Sequence, residues 1–214
     1  MPDRSEALAH LRAADPVLGA LVDEIESGDG GLGERAGRRG IEAHDHYGAL
    51  VRSIVGQQLS TKAARAINGR LNDRFGGRPP TPSEILADDP EELRAAAGLS
   101  RAKVGFLRSL AEHVMRGELD LEGLDSLPDE EVLAELVAVK GLGEWTAHMF
   151  LIFHLDRPDV LPVGDLGVRR AIMNAFGLAE LPAPDEMTRL AEPWRPHRST
   201  AARYLWRSLD ATPE

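Results

Sequence analysis

The stretch Val137-Ala138-Val139-Lys140-Gly141-Leu142-Gly143-Glu144-Trp145-Thr146-Ala147 constrains the fold more than any other part of the chain. Leu133, Leu136 and Val137 keep helical spacing, Gly141-Leu142-Gly143 interrupts it, and the almost wholly apolar run Thr146 to Leu155 resumes it. The pattern predicts two helices joined by a tight turn, over about residues 129–154. Glycine tolerates the positive backbone angles of such a turn, and its missing side chain lets another backbone or a phosphate come close. The amides of Gly141, Gly143 and Thr146 fall at the start of the second helix, where unpaired N–H groups form a ready anion site. By itself, Gly-Leu-Gly is more often a plain turn between helices than a phosphate grip.

The rest of the chain reads as helix too. Candidate helices cover about residues 4–13, 16–27, 45–57, 60–75, 101–116, 129–139, 144–154, 165–176, 185–193 and 197–209, with short turns near 83–87 and 90–95. Asp15, Ser60, Asp129 and Asp165 are suited to helix starts, because their side chains can accept from orphaned amides. Gly76 to Pro82 and Asp156 to Gly164 read as loops, and Gly28 to Gly40 as a glycine- and charge-rich segment. Sustained period-two alternation is missing, so the expected class is all-α.

Four separated blocks carry a resemblance. They are Ser53-Ile54-Val55-Gly56-Gln57-Gln58-Leu59-Ser60, the Gly141-Leu142-Gly143-Glu144-Trp145-Thr146-Ala147 hairpin, Pro162-Val163-Gly164-Asp165, and Trp194-Arg195-Pro196-His197-Arg198-Ser199 through Tyr204-Leu205-Trp206. In this order and spacing, from about Tyr47 to Leu209, the chain resembles the helix-hairpin-helix superfamily of DNA glycosylases, in particular the 3-methyladenine DNA glycosylase II type. Only about 45 residues precede the first block and they look helical, so the resemblance is to the compact, all-helical subgroup. It implies two helical lobes around a cleft. One would be a middle lobe of about 48–160 containing the hairpin; the other, 1–47 plus 161–214, would carry the catalytic aspartate.

The resemblance assigns roles residue by residue. Asp165, 22 positions beyond Gly143, falls on the catalytic aspartate. A bland reading makes it only a helix cap. Breaking the N-glycosidic bond of an alkylated purine builds positive charge on the deoxyribose, which a fixed carboxylate stabilises; it can also orient the attacking water. Both roles stay open. Trp145 and Trp206 fall on base-pocket positions, where an aromatic face favours a flipped cationic base, whereas Trp194 reads as core. Met149 lines the same pocket, at a position where the β-domain subgroup carries tyrosine. Gln57, Gln58 and Leu59 form the duplex-facing loop; Gln58 is favoured as the wedge, Leu59 is the alternative, and Gln57 is placed to reach base edges. Lys140, Gly141, Gly143 and Thr146 would hold the DNA backbone.

Strand cleavage by related bifunctional enzymes uses a Schiff-base lysine two positions beyond the second hairpin glycine. Trp145 stands there, which implies a monofunctional, water-using enzyme. The resemblance requires no cofactor. It implies a monovalent cation, sodium or potassium, at the hairpin on the backbone carbonyls of Val137, Val139 and Leu142. Its partner would be double-stranded DNA with alkylated bases, bound by a monomer.

Composition sets the remaining bounds. The chain has no cysteine, which excludes disulfides, thiolate zinc sites and the iron–sulfur cluster of endonuclease III-like relatives. No histidine pair has metalloprotease spacing, and His44 and His46 read as surface residues. Neither an apolar run of membrane-spanning length nor a signal-peptide pattern at Met1 to Glu6 occurs, so the expectation is a cytoplasmic protein without membrane contact, nucleoid-associated if bacterial.

A net charge of −10 argues against a generic nucleic-acid binder. Its distribution answers the objection. Glu118 to Glu135 holds eight acidic and no basic residues, while Arg52 to Arg78 holds six basic residues against one acid. Trp194 to Arg207 adds four arginines and His197 with no acid. Two basic segments flanking the site are therefore expected to make a local DNA face.

The expected activity is base release in base excision repair. A non-catalytic helix-hairpin-helix DNA-binding module would need neither Asp165 nor the tryptophans. A helical scaffold unrelated to DNA is what the acidity alone would favour.

Overall fold

A computed structural model describes residues 4–28 and 45–210. Among the described residues it contains twelve α-helices, two short 3-10 turns and no strand. The segment from 29 to 44, with His44 and most of the glycine-rich stretch, lies outside the described residues. No described helix is long and apolar enough to cross a membrane.

The chain divides into two compact units. One comprises residues 1–40 with 151–214, the other residues 41–150. The first is built from α1 (Arg4–Ala14), α2 (Pro16–Ser27), α10 (Leu166–Phe176), α11 (Pro184–Leu190) and α12 (Arg198–Asp210). Leu11, Leu18, Val168, Ile172, Met187, Trp194 and Leu205 form its core, and removing this apolar surface from water is the main stabilising term. Trp194 is fully buried, and its indole N–H donates to Asp15 at 2.8 Å, which satisfies the one polar atom a core tryptophan carries. The other Asp15 oxygen caps α2 by accepting from the Val17 and Leu18 amides.

The second unit holds α3 (His46–Gly56), α4 (Thr61–Arg74), α5 (Pro82–Ala87), α6 (Pro90–Ala97), α7 (Arg101–Met115), α8 (Asp129–Ala138) and most of α9 (Glu144–Phe153). Leu50, Ile54, Leu71, Ile85, Leu93, Leu107, Leu110, Val132 and Leu136 are fully buried within it.

Two segments expected as turns are helices. Thr81 and Glu84 form a reciprocal capping box at the start of α5, with Pro82 in its first turn. Arg78 and the Thr81 amide hold the Glu84 carboxyl down to about 2. Asp89 caps α6 by accepting from the Glu91 and Glu92 amides. Caps of this strength extend pieces too short to show periodicity. Asp129 is the first residue of α8, after Pro128, and its charge is favourable there through the helix dipole. Pro193 lacks an N–H to continue a helix, so α11 ends at Leu190 and a 3-10 turn, Glu192–Trp194, follows.

His46 is not a surface residue. Its side chain is 14% exposed, lies 3.5 Å from Asp125 and meets the Phe150 ring edge-on at 5.8 Å.

Helix C-termini are closed by long cations reaching across the fold. Arg108 donates to the Ile85, Leu86 and Asp88 carbonyls behind α5. Arg70 donates to Ala97 O at the end of α6, and Arg203 to Ile152 O near the end of α9. Each satisfies a carbonyl that the helix leaves unpaired and places positive charge at the negative end of the dipole.

Candidate active site

Asp165 is set by the loop before α10. Its amide donates to Pro162 O at 2.9 Å, which turns the chain into the helix. The side chain is buried at 8% exposure, and its Oδ1 accepts from Val168 N at 2.7 Å and from Trp206 Nε1 at 2.8 Å. Asp165 caps α10, and a second donor, from α12, holds the same carboxylate oxygen.

Trp206 earns its position through neighbours. Its ring stacks on Phe153, with centroids 5.5 Å apart and planes 30° from parallel. The Arg203 guanidinium lies 5.3 Å from the centre of the Phe153 ring. Gly167 makes the approach possible, because a Cβ there would sit 3.0 Å from Asp165 Oδ1 and 3.2 Å from Trp206 Cδ1. Sequence reading assigned Trp206 to the base pocket; the structure gives its indole N–H a definite polar task, orienting Asp165.

The hairpin between α8 and α9 belongs to the other unit. Gly141 has φ +99°, and a Cβ on it would lie within 2.6 Å of Phe106 Cβ. The Leu142 amide donates to Val139 O at 3.0 Å to close the turn, and Gly143 O accepts from Ala147 N at 3.0 Å to start α9. Gly143 differs from Gly141: a Cβ there would meet open space. Only one of the two glycines is demanded by the fold, and the other leaves an open approach to the first amides of α9. Lys140, exposed, sits beside it. Thr146 is buried at 4%, and its hydroxyl is directed inward, accepting from Gln57 Nε2.

Gln57 does not reach outward. Its Nε2 donates to Gly141 O at 2.8 Å and to Thr146 Oγ1 at 3.4 Å, tying the end of α3 to the hairpin. Gln58 and Leu59 are exposed. Gln58 has φ +57°, a left-handed conformation that costs a residue with a Cβ about 1–2 kcal/mol. Such strain persists only where surrounding contacts hold it.

Trp145 is 48% exposed in the first turn of α9, so it is not a core tryptophan. Met149 follows one turn later and is half-buried. Between them His148 has its pKa pushed down by burial, opposed by the Glu144 carboxylate.

The basic segments are mostly spent within the fold. Arg74 pairs with Asp88 and Glu92, and Arg78 with Glu84. Arg195 and Arg198 both bind Asp159, and Arg203 binds Asp156. Linear charge counts miss this because the acids that neutralise these arginines lie elsewhere in sequence. Among the described residues, no group of three or more His, Asp or Glu side chains is placed to hold a metal.

Residues 51–196 match the HhH-GPD superfamily of base excision DNA repair proteins. The chain belongs to that superfamily. It is 34% identical over 208 residues to DNA-3-methyladenine glycosylase 1 of Schizosaccharomyces pombe, covering 96% of this chain and 91% of the relative. A solved structure of the S. pombe 3-methyladenine DNA glycosylase Mag1 with abasic DNA superposes with TM-score 0.80 at 32% identity, covering 96% and 97% of the two chains. A Bacillus halodurans DNA-3-methyladenine glycosidase gives TM-score 0.78 at 33% identity, covering 94% and 88%. All three cover nearly the whole HhH-GPD chain, so the likeness is not confined to the hairpin.

Sequence reading overlooked Lys103, Gly167 and Phe153. A lysine in the third position of α7, where an acid or amide would complete the Ser100 cap, was the one visible signal.

Proposed function

We propose that the protein is a monofunctional DNA glycosylase that hydrolyses the N-glycosidic bond of alkylated purines, of the 3-methyladenine and 7-methylguanine type, in double-stranded DNA. The observation that carries this reading is Asp165, buried and bonded through one oxygen to both Val168 N and Trp206 Nε1. A cap alone needs only the first bond. The second holds the carboxylate against rotation, which suits a group that must stabilise a sugar cation without reorganising.

The steps follow from the residues. Gly143 and the first amides of α9 receive a phosphate, with Lys140 adding charge. The loop at Gln58 fills the duplex as the damaged nucleotide leaves the stack. The exposed Trp145 indole offers a π face to the cationic base, with Met149 as apolar lining. As the bond to the base breaks, the cationic purine departs neutral with the bonding electrons, Asp165 stabilises the positive deoxyribose, and water adds to C1′ and gives up a proton to solvent. The Val137, Val139 and Leu142 carbonyls would hold a sodium or potassium ion, whose positive charge would favour a DNA phosphate near the hairpin. They suit it: Val139 O spends one lone pair on Leu142 N, and among the described residues no backbone amide donates to the other two. The protein acts as a monomer in the cytoplasm and needs no other cofactor. Release of free 3-methyladenine or 7-methylguanine from methylated duplex, identified by chromatography, tests the reading; no base release would remove it.

Borohydride is expected to trap no enzyme–DNA adduct. Lys103 is already bonded to two backbone carbonyls, and Trp145 occupies the position of the lyase lysine. A trapped complex mapped by mass spectrometry to Lys62, Lys103 or Lys140 would overturn monofunctionality.

Trp145→Ala is expected to slow release of 7-methylguanine more than release of neutral hypoxanthine. A cation–π contact is worth about 2 kcal/mol or more when desolvated, roughly thirtyfold in rate. At 48% exposure the side chain contributes little to the core, so the melting temperature should hold. Equal losses on both bases would remove the cation–π role.

A further inference from the structure

Lys103 stands where local rules disfavour it. Ser100 Oγ accepts from Lys103 N at 3.2 Å, so the residue lies in the first turn of α7, at the positive end of that helix. The ammonium turns away from its own helix and donates to Val55 O at 2.7 Å and Gln57 O at 2.9 Å. These are carbonyls at the C-terminal end of α3, the negative end of another dipole. The next residue is Gln58, left-handed at φ +57° and exposed. Leu59 N closes the turn onto Gly56 O at 3.2 Å, and Gln57 is tied to the hairpin on its other side. Burial pushes the Lys103 pKa down, in keeping with an ammonium drawn into the fold.

We infer that Lys103 is a positioning residue: by bonding the Val55 and Gln57 carbonyls it holds Gln58 in the conformation that presents its side chain to the duplex. It acts through Gln58 and not on the reacting atoms. The inference rests on the glycosylase reading and on Gln58 as the wedge. It removes Lys103 from the pool of nucleophiles and gives a net-acidic protein a use for one of its three lysines other than phosphate contact.

The test is a double-mutant cycle. Lys103→Met keeps the length of the stem and loses the donors. Single-turnover release of 7-methylguanine is measured at saturating enzyme, with 2-aminopurine beside the lesion reporting extrusion, for the parent, Lys103→Met, Gln58→Gly and the double variant. Lys103→Met should slow extrusion and base release together by about tenfold, the scale of one charge-assisted hydrogen bond. In the Gln58→Gly background, which has no side chain to present, the same change should cost less than about twofold, the non-additivity of two groups acting as one. Equal losses in both backgrounds would overturn the inference, as would a lowered melting temperature with unchanged extrusion. Lys103→Leu, which also lacks the donors, carries the same comparison if Lys103→Met does not fold. Failure of the parent itself to release base would instead strike the glycosylase reading, so the two outcomes stay distinct.

Discussion

Asp165→Asn is expected to fold, to bind a duplex containing an abasic-site analogue as tightly as the parent, and to release alkylated base about 100- to 1000-fold more slowly, the range seen when one preorganised electrostatic group is lost. The substitution separates the two jobs of this side chain. An amide oxygen accepts from Val168 N and Trp206 Nε1 as the carboxylate does, at 2.7 and 2.8 Å, and asparagine caps helices as well as aspartate. What it lacks is the negative charge that offsets a developing deoxyribose cation. Asp165→Ala is the contrast: it should also remove the cap and lower stability by about 0.5–2 kcal/mol. Single-turnover base release beside thermal melts reads both effects. Near-parent release by Asp165→Asn would reduce the residue to a helix cap.

Trp206→Phe extends the same logic. It keeps a ring to stack on Phe153 and removes the Trp206 Nε1 donation to Asp165 Oδ1. Slower base release with an unchanged melting curve would show that the Trp206 bond aims the carboxylate.

What was legible in the sequence was local. Gly141 between two apolar helical runs announces the turn, and Asp165 after Pro162-Val163-Gly164 announces a helix start. Their partners were not legible. Trp206 meets Asp165 across 41 positions, Lys103 meets Gln57 across 46, and Gln57 meets Gly141 across 84, and no periodicity spans such gaps. The resemblance places Gln57 within reach of base edges; its bond to the distant Gly141 carbonyl is one that no local pattern shows. Basic runs looked like a DNA face because charge was counted along the chain, whereas Asp159 neutralises Arg195 and Arg198 from nearly forty positions away, 36 and 39 in sequence. The short helices α5 and α6 were missed because capping, not amphipathic pattern, makes them.

Gly141→Ala and Gly143→Ala are expected to part company, although a sequence pattern treats them alike. At Gly141 an added methyl takes a left-handed backbone at φ +99° and enters the space of Phe106. Strain of about 1–3 kcal/mol and overpacking of about 1–3 kcal/mol combine to a loss of about 2–6 kcal/mol, a large part of the margin of an ordinary domain. The melting temperature should fall by about 5 °C or more, and affinity for abasic-analogue duplex should fall with it, since the turn that aims the α9 amides is displaced. At Gly143 the methyl meets open space and perturbs only the start of α9, so stability should change by less than about 1 kcal/mol. Binding should nevertheless weaken, because a phosphate reaching those amides must pass that methyl. Loss of affinity in Gly143→Ala with its melting curve intact would separate the approach to DNA from the integrity of the turn. Parent-like melting and binding by Gly141→Ala would mean that Phe106 does not pack on the hairpin as described, and with it the anchoring of that turn in the fold would have to be redrawn.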